Sequence, residues 1–165
     1  MKYFNQTLLL SLLVLLFVSC STEQDANEQD YSLNTDQLIE DLRVISSDST
    51  EGRLTGTEGN RMAREYLLQR FEEEGAEPFQ GSYTHEFKFN SREGDEVNGV
   101  NVIGQISGDS DSVIVITAHY DHIGMRDSLI FNGADDDASG TAALLAYIDY
   151  FNEVKPNHTL SICCF

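Results

Sequence analysis

The sequence predicts an α/β domain: a mixed, largely parallel sheet with helices on both faces. Three observations carry that expectation. Residues 113–117, V-I-V-I-T, form a short apolar run of strand length, a helix-period pattern follows from about Ser139 to Asn152, and Thr159 to Phe165 is a second apolar run. Strand, helix and strand at this separation make a right-handed parallel crossover. Two earlier segments with two-residue alternation add an antiparallel margin to the same sheet.

Taken in order, the chain opens with Lys2, a polar spacer and Leu8 to Val18, where only Ser11 is not apolar. As a helix this stretch is about 16 Å long against roughly 30 Å of hydrocarbon, which suits a signal-peptide core better than a membrane span. It ends in F-V-S-C, Phe17 to Cys20, which resembles a bacterial lipobox with Phe17 where Leu is usual. That resemblance implies cleavage before Cys20, removing residues 1–19, and lipid attachment to the Cys20 thiol. The mature chain would then be tethered to a membrane of the bacterial envelope, at the outer membrane, on its periplasmic or extracellular side. An ordinary secretory leader or an uncleaved anchor is the competing reading. Residues 20–33 are polar and poor in branched apolar side chains, the composition of a flexible tether.

Residues 34–165 form the folded part. Asn34 or Thr35 caps a first helix bearing Leu38, Leu42 and Ile45 at helical spacing. Ser46 to Gly56 is a loop of small residues, in which Glu51 and Arg53 read as a local pair holding the loop beside the site. Thr57 caps a second helix with Ala63, Leu67 and Phe71 on one face, stopping at Gly75. Tyr83, His85, Phe87 and Phe89 alternate with mostly polar residues, which predicts a strand with one buried face and makes His85 a packed or hydrogen-bonded histidine. Ser91 to Gly99 reads as an acidic turn, and Val100, Val102, Gly104 and Ile106 resume the alternation. After the turn Gly108 to Ser112 come the 113–117 strand, a glycine- and aspartate-rich loop, and the helix packing Ala142, Leu145, Ala146 and Tyr150. Pro156 then forbids helix continuation before the last strand. His158 reads as a solvated turn histidine at the far end of the sheet.

Composition excludes some functions. With residues 1–19 removed, 9 basic residues face 28 acidic ones, a net charge of -19. Such a surface repels nucleic acid and anionic headgroups, so membrane attachment has to come from the lipid. No phosphate-cradling glycine loop and no Ser-His-Asp arrangement is evident. Cys163 and Cys164 are adjacent, badly placed to bridge each other in a strand and lacking a zinc-knuckle spacing, so they read as buried thiols.

The chemistry concentrates just past the 113–117 strand. His119 and Asp121 are two apart, so in extended backbone they share a face, and Asp121 can accept the ring proton that fixes the His119 tautomer. His122, one residue on, is expected to face away. Asp135, Asp136 and Asp137 precede a helix; an acidic turn there satisfies free backbone amides with no ligand. Crowded near a histidine at a strand end, the same carboxylates suit a divalent ion, and one carboxylate has oxygens enough to bridge two ions about 3.5 to 4 Å apart. A calcium surface domain is a third possibility, against which His119 argues for a borderline metal.

H-Y-D at His119 to Asp121, G-A-D-D-D-A-S-G at Gly133 to Gly140 and E-G-R-L-T-G-T-E-G-N at Glu51 to Asn60 together resemble the M28 family of zinc-dependent peptidases. The likeness runs from about residue 35 to the last residue. It implies a two-zinc site with His119 on one ion, Asp136 bridging both and Asp121 orienting His119, and it implies a cis peptide between Asp136 and Asp137. It further implies a Glu-Glu pair, base and ligand, after the strand beginning at Thr159, then an aspartate and a histidine. Residues 159–165 read T-L-S-I-C-C-F and have no counterpart of these four.

The expected function is therefore a lipid-anchored, secreted zinc metallopeptidase of exopeptidase type acting on peptides or protein N-termini, with this chain an incomplete and inactive part of it. The alternative is a non-catalytic, lipid-anchored binding or scaffold domain with a peptidase-like half-fold. Mass spectrometry of the mature N-terminal peptide is expected to show acylated Cys20. An unmodified Cys20, or a Cys20→Ser protein anchored as before, contradicts the lipobox.

Overall fold

Alternate side chains on three neighbouring strands decide how this domain closes its core. The computed structural model describes residues 31–165, so the leader, Cys20 and most of the tether lie outside the described residues. Residues Tyr31–Phe165 form one unit. Its elements are α1 (Thr35–Ile45), α2 (Glu58–Glu73), β1 (Glu77–Pro78), β2 (Thr84–Asn90), β3 (Glu96–Ile106), β4 (Ser110–Ala118), β5 (Met125–Arg126), β6 (Leu129–Ile130), α3 (Ser139–Glu153) and β7 (His158–Cys164).

The main sheet is mixed, in the order β1-β3-β7-β4, with β2 also pairing β3. Strand β7 runs parallel to β4, aligning Ile114 with Leu160, Ile116 with Ile162 and Ala118 with Cys164. It runs antiparallel to β3, aligning Leu160 with Ile106, Ile162 with Gly104 and Cys164 with Val102. These residues form three rungs on one face. The β1 and β2 pairings with β3 are antiparallel too, so among the described residues the β4–β7 crossover is the one parallel pairing and the mixture leans antiparallel. Sequence periodicity carries no information on strand direction; the short connections between β2, β3 and β4 leave no room for a parallel crossover there.

Helices α1, α2 and α3 bring Ile45, Leu67, Phe71, Leu145 and Ile148 into one buried cluster with Val102, Leu160 and Ile162. Among the described residues the helices thus share one face, whereas the sequence predicts both faces covered. On the opposite face Val113 and Val115 are 53% and 62% exposed. Gly104 admits the Phe71 ring, since a Cβ there would lie 2.7 Å from it. Strand β2 departs from its expected single buried face: Phe87 and Phe89 are exposed and stack on each other, with ring centroids 5.9 Å apart. Their cross-strand partners are Gly99 and Val97, on the helix-free side of β3, so alternation places them on one face without that face being interior.

The caps follow the sequence. The Asn34 side chain accepts the Gln37 amide at 3.1 Å, Thr57 accepts that of Asn60 at 3.4 Å, and α2 ends at Gly75 with φ +77. The acidic turn is shorter than expected, because Ser91 and Asp95 close it and β3 starts at Glu96. Asp41 is buried under α2, where it accepts from Arg70 Nε at 2.9 Å, Tyr66 Oη at 2.6 Å and Gln37 Nε2 at 2.9 Å. An unpaired buried carboxylate would be costly; this one has three donors.

The loop between α1 and α2 is held down by a close backbone approach. A Cβ on Gly59 would sit 2.0 Å from the Thr50 carbonyl oxygen, backbone against backbone. Gly59→Ala is expected to destabilise the fold by about 1–3 kcal/mol, read as a lower urea midpoint with an unchanged slope.

Candidate metal centre

Strand β4 ends at Ala118 beside Cys164, the end of its parallel neighbour. This is the carboxyl edge of the parallel pair, the place where open α/β sheets put their sites. Tyr120 turns inward, 2% exposed, and its hydroxyl donates to the Val100 carbonyl at 2.7 Å. On either side of it His119 and Asp121 meet. His119 Nδ1 lies 3.2 Å from Asp121 Oδ1 and 3.1 Å from the Asp121 carbonyl. The far oxygen of the same carboxylate, Oδ2, accepts from Thr55 Oγ1 at 2.7 Å.

The three aspartates divide the two roles the sequence leaves open for them. They lie in the turn Ala134–Ala138, entered through Gly133 at φ +55, and the Asp136–Asp137 peptide is cis, as the resemblance implies. Asp137 faces the backbone: Oδ1 accepts the Gly140 amide at 3.1 Å and Oδ2 the His119 amide at 3.3 Å. It thereby satisfies a free amide at the start of α3 and ties that helix to the strand end. Asp136 faces outward, its side chain 72% exposed, with Oδ1 at 3.0 Å from His119 Nε2. Asp135 is exposed.

His122 does not face away as expected. Its ring lies against Gly133, where a Cβ would be 2.6 Å from it, and Nδ1 is 4.0 Å from Asp136 Oδ2. The His122 amide bonds the Arg53 carbonyl, so the backbone has left strand geometry and simple alternation fails. His85 is bonded through Nε2 to the Ser82 carbonyl at 3.1 Å, and His158, exposed and first in β7, meets Ser110 Oγ at 2.7 Å. Cys163 and Cys164 are free thiols, and burial pushes the Cys164 pKa up.

The local Glu51–Arg53 pair predicted from sequence is not formed. Arg53 is 0% exposed and spends its donors on backbone carbonyls: Nε on Tyr120 at 2.7 Å, Nη1 on Ile45 at 2.8 Å and Asn132 at 2.6 Å, and Nη2 on Gly133 at 3.0 Å. One guanidinium thus fastens the end of α1, the His119–Asp121 segment and the loop leading to Asp136. Its planar fork suits several carbonyls at once, which a lysine does not. Burial lowers its pKa, opposed by the charges of Asp121 and Asp136. For His119, burial pulls downward, but the Asp121 carbonyl and carboxylate with the Asp137 charge outweigh it and raise the pKa.

A metal ion suits part of this arrangement. An imidazole nitrogen and a carboxylate oxygen, Nε2 of His119 and Oδ1 of Asp136, face one another across 3.0 Å, and the other ring nitrogen is engaged by Asp121. These are ordinary zinc donors with an ordinary outer partner. Among the described residues no group of three or more His, Cys, Asp or Glu side chains converges as a metal position.

The Peptidase family M28 model matches residues 101–165. No curated protein matches the chain. Among solved structures it is similar to the glutaminyl cyclase of an Acidobacteriales bacterium, with 23% identity and a TM-score of 0.71 over 84% of this chain and 46% of that one. It is similar to a Zn-dependent exopeptidase from Parabacteroides distasonis, with 21% identity and a TM-score of 0.68 over 82% and 47%. A leucine aminopeptidase precursor from Bacteroides thetaiotaomicron gives 21% identity and a TM-score of 0.65 over 81% and 47%. The chain spans about half the length of these structures. It carries an M28-like zinc-peptidase fold in part, with the matched segment holding His119, Asp121 and Asp136.

Removing the Arg53 guanidinium strips the donor from the buried carbonyls of Tyr120 and Ile45, each worth about 1–3 kcal/mol when left unsatisfied. Arg53→Met is expected to lower stability by about 3–5 kcal/mol in denaturant titration, near the cost of breaking a buried polar network.

Proposed function

We propose that this chain supplies one side of the metal site of a zinc-dependent hydrolase of exopeptidase type, with His119 and Asp136 as its metal donors. The observation that carries the proposal is His119, held between Asp121 on Nδ1 and Asp136 on Nε2. The M28 match over residues 101–165 and the shared fold support it. Zinc at such a pair supplies Lewis acidity toward a peptide carbonyl and toward water.

The chain's own residues do the rest. Asp121 holds the His119 ring so that Nε2 is directed at Asp136, and it stabilises positive charge on the imidazole. Asp137 keeps its carboxylate on two backbone amides, so the turn presents the Asp136 carboxylate to His119. Peptides with free termini are the substrate class this reading carries. Glutaminyl cyclases are among the similar structures, so N-terminal glutaminyl peptides belong in the assay beside aminoacyl substrates. Lipid anchoring at Cys20 to a bacterial outer membrane, on its periplasmic or extracellular side, completes the proposal. No described helix is long and apolar enough to cross a membrane.

A specific observation favours a second reading, a binding domain without turnover: the described residues bring together only two metal donors. Two donors hold zinc weakly and with little selectivity. Zinc titration of the full chain is expected to give weak binding that disappears in His119→Ala with Asp136→Ala, without chelator-sensitive turnover of either substrate type. Tight uptake of two ions, or turnover that falls with His119→Ala, contradicts the two-donor account; binding indifferent to both substitutions contradicts the site itself.

A further inference from the structure

The loop that carries Arg53 also carries Thr55, and both bond to the metal-site segment. Arg53 bonds the Tyr120 carbonyl at 2.7 Å and Thr55 Oγ1 bonds Asp121 Oδ2 at 2.7 Å. We propose that Thr55 is a positioning residue for the metal pair: its hydroxyl sets the rotation of the Asp121 carboxylate and so the strength with which His119 donates to a metal. This rests on the reading of His119 and Asp136 as metal donors.

The geometry explains why a hydroxyl matters here. His119 Nδ1 has two acceptors at nearly equal distance, the Asp121 carbonyl at 3.1 Å and Oδ1 at 3.2 Å. The carbonyl is fixed by the backbone, but the carboxylate is partly exposed and free to turn about its own bonds. Thr55 is the hydroxyl bonded to its second oxygen. Without that contact the carboxylate turns toward water, and the ring keeps a neutral carbonyl as its main acceptor. A carboxylate acceptor raises imidazole basicity more than a carbonyl does, because the bond is charge-assisted. Arg53 supports the same contact indirectly, since only Leu54 separates it from Thr55 and its guanidinium bonds the carbonyl of the peptide on which Asp121 is carried.

The test is Thr55→Val, which keeps the shape and removes the hydroxyl, with Thr55→Ser as the conservative variant. Three quantities are measured on the full chain: zinc affinity by competition with a chromogenic chelator, the His119 Nδ1 proton resonance in metal-free protein, and the melting midpoint. Thr55→Val is expected to weaken zinc binding about tenfold, at the lower end of the range for outer partners of a ligand. It should move the Nδ1 proton upfield and leave the midpoint in place, while Thr55→Ser behaves as the parent. Unchanged affinity with an unmoved resonance overturns the proposal, and so does a loss of affinity that merely tracks a fall in the midpoint. His119→Ala separates the two levels. If zinc binding survives that substitution the metal reading fails, whereas the proton resonance in Thr55→Val still decides whether Thr55 sets the Asp121 bond.

Discussion

The buried guanidinium of Arg53 is the interaction on which the site depends. Four carbonyls from three separate stretches of chain, at Ile45, Tyr120 and Asn132–Gly133, converge on it. Carbonyls turned inward at the ends of strands and helices lose water and need donors. A single planar group with five N–H bonds provides them and fixes the mutual distances of the segments that carry His119, Asp121 and Asp136. The positive charge also lies in the field of the carboxylate cluster, where it offsets repulsion between Asp121 and Asp136. Position and electrostatics are thus supplied by one side chain.

Around that anchor the site is layered. Tyr120 plugs the core and leaves its two neighbours facing one way. Asp137 ties the start of α3 to the His119 amide, and Thr141 Oγ1 donates to the His119 carbonyl at 3.1 Å. His119 is therefore held at its amide, its carbonyl and both ring nitrogens. A ligand fixed at every polar atom meets a metal with little reorganisation, which is the advantage of a preorganised first donor.

Much of this was legible in the sequence. The β4–α3–β7 crossover followed from two apolar runs and a helical period, and the separation of His119 from Asp121 placed their side chains together. The helix caps at Asn34 and Thr57 were written in residue type and spacing. What was hidden depended on tertiary closure. Alternation at Phe87 and Phe89 identifies one face of a strand, but burial of that face depends on what packs there, and here the rings stay exposed. Arg53 is the third of three successive residues with positive φ, after Glu51 and Gly52, and no local pattern announces that three of its four carbonyl partners are 67 to 80 residues away. Thr55 carries no local signal either, and the alternation that predicts His122 facing away fails where its amide bonds the Arg53 carbonyl. A run of three aspartates does not by itself say which member serves the helix and which faces outward; the family resemblance singles out Asp136, and the turn at Ala134–Ala138 puts Asp137 on backbone amides instead.

The central claim is that His119 Nε2 and the Asp136 carboxylate form one metal-binding pair on this fold. Diffraction at the zinc absorption edge from crystals of the protein soaked in zinc addresses it without reference to activity. The account predicts an anomalous peak within about 2.0–2.2 Å of both His119 Nε2 and an Asp136 oxygen, with Asp121 still on Nδ1. A peak at Cys163, at His158 or on the acidic surface, with none between His119 and Asp136, would contradict it.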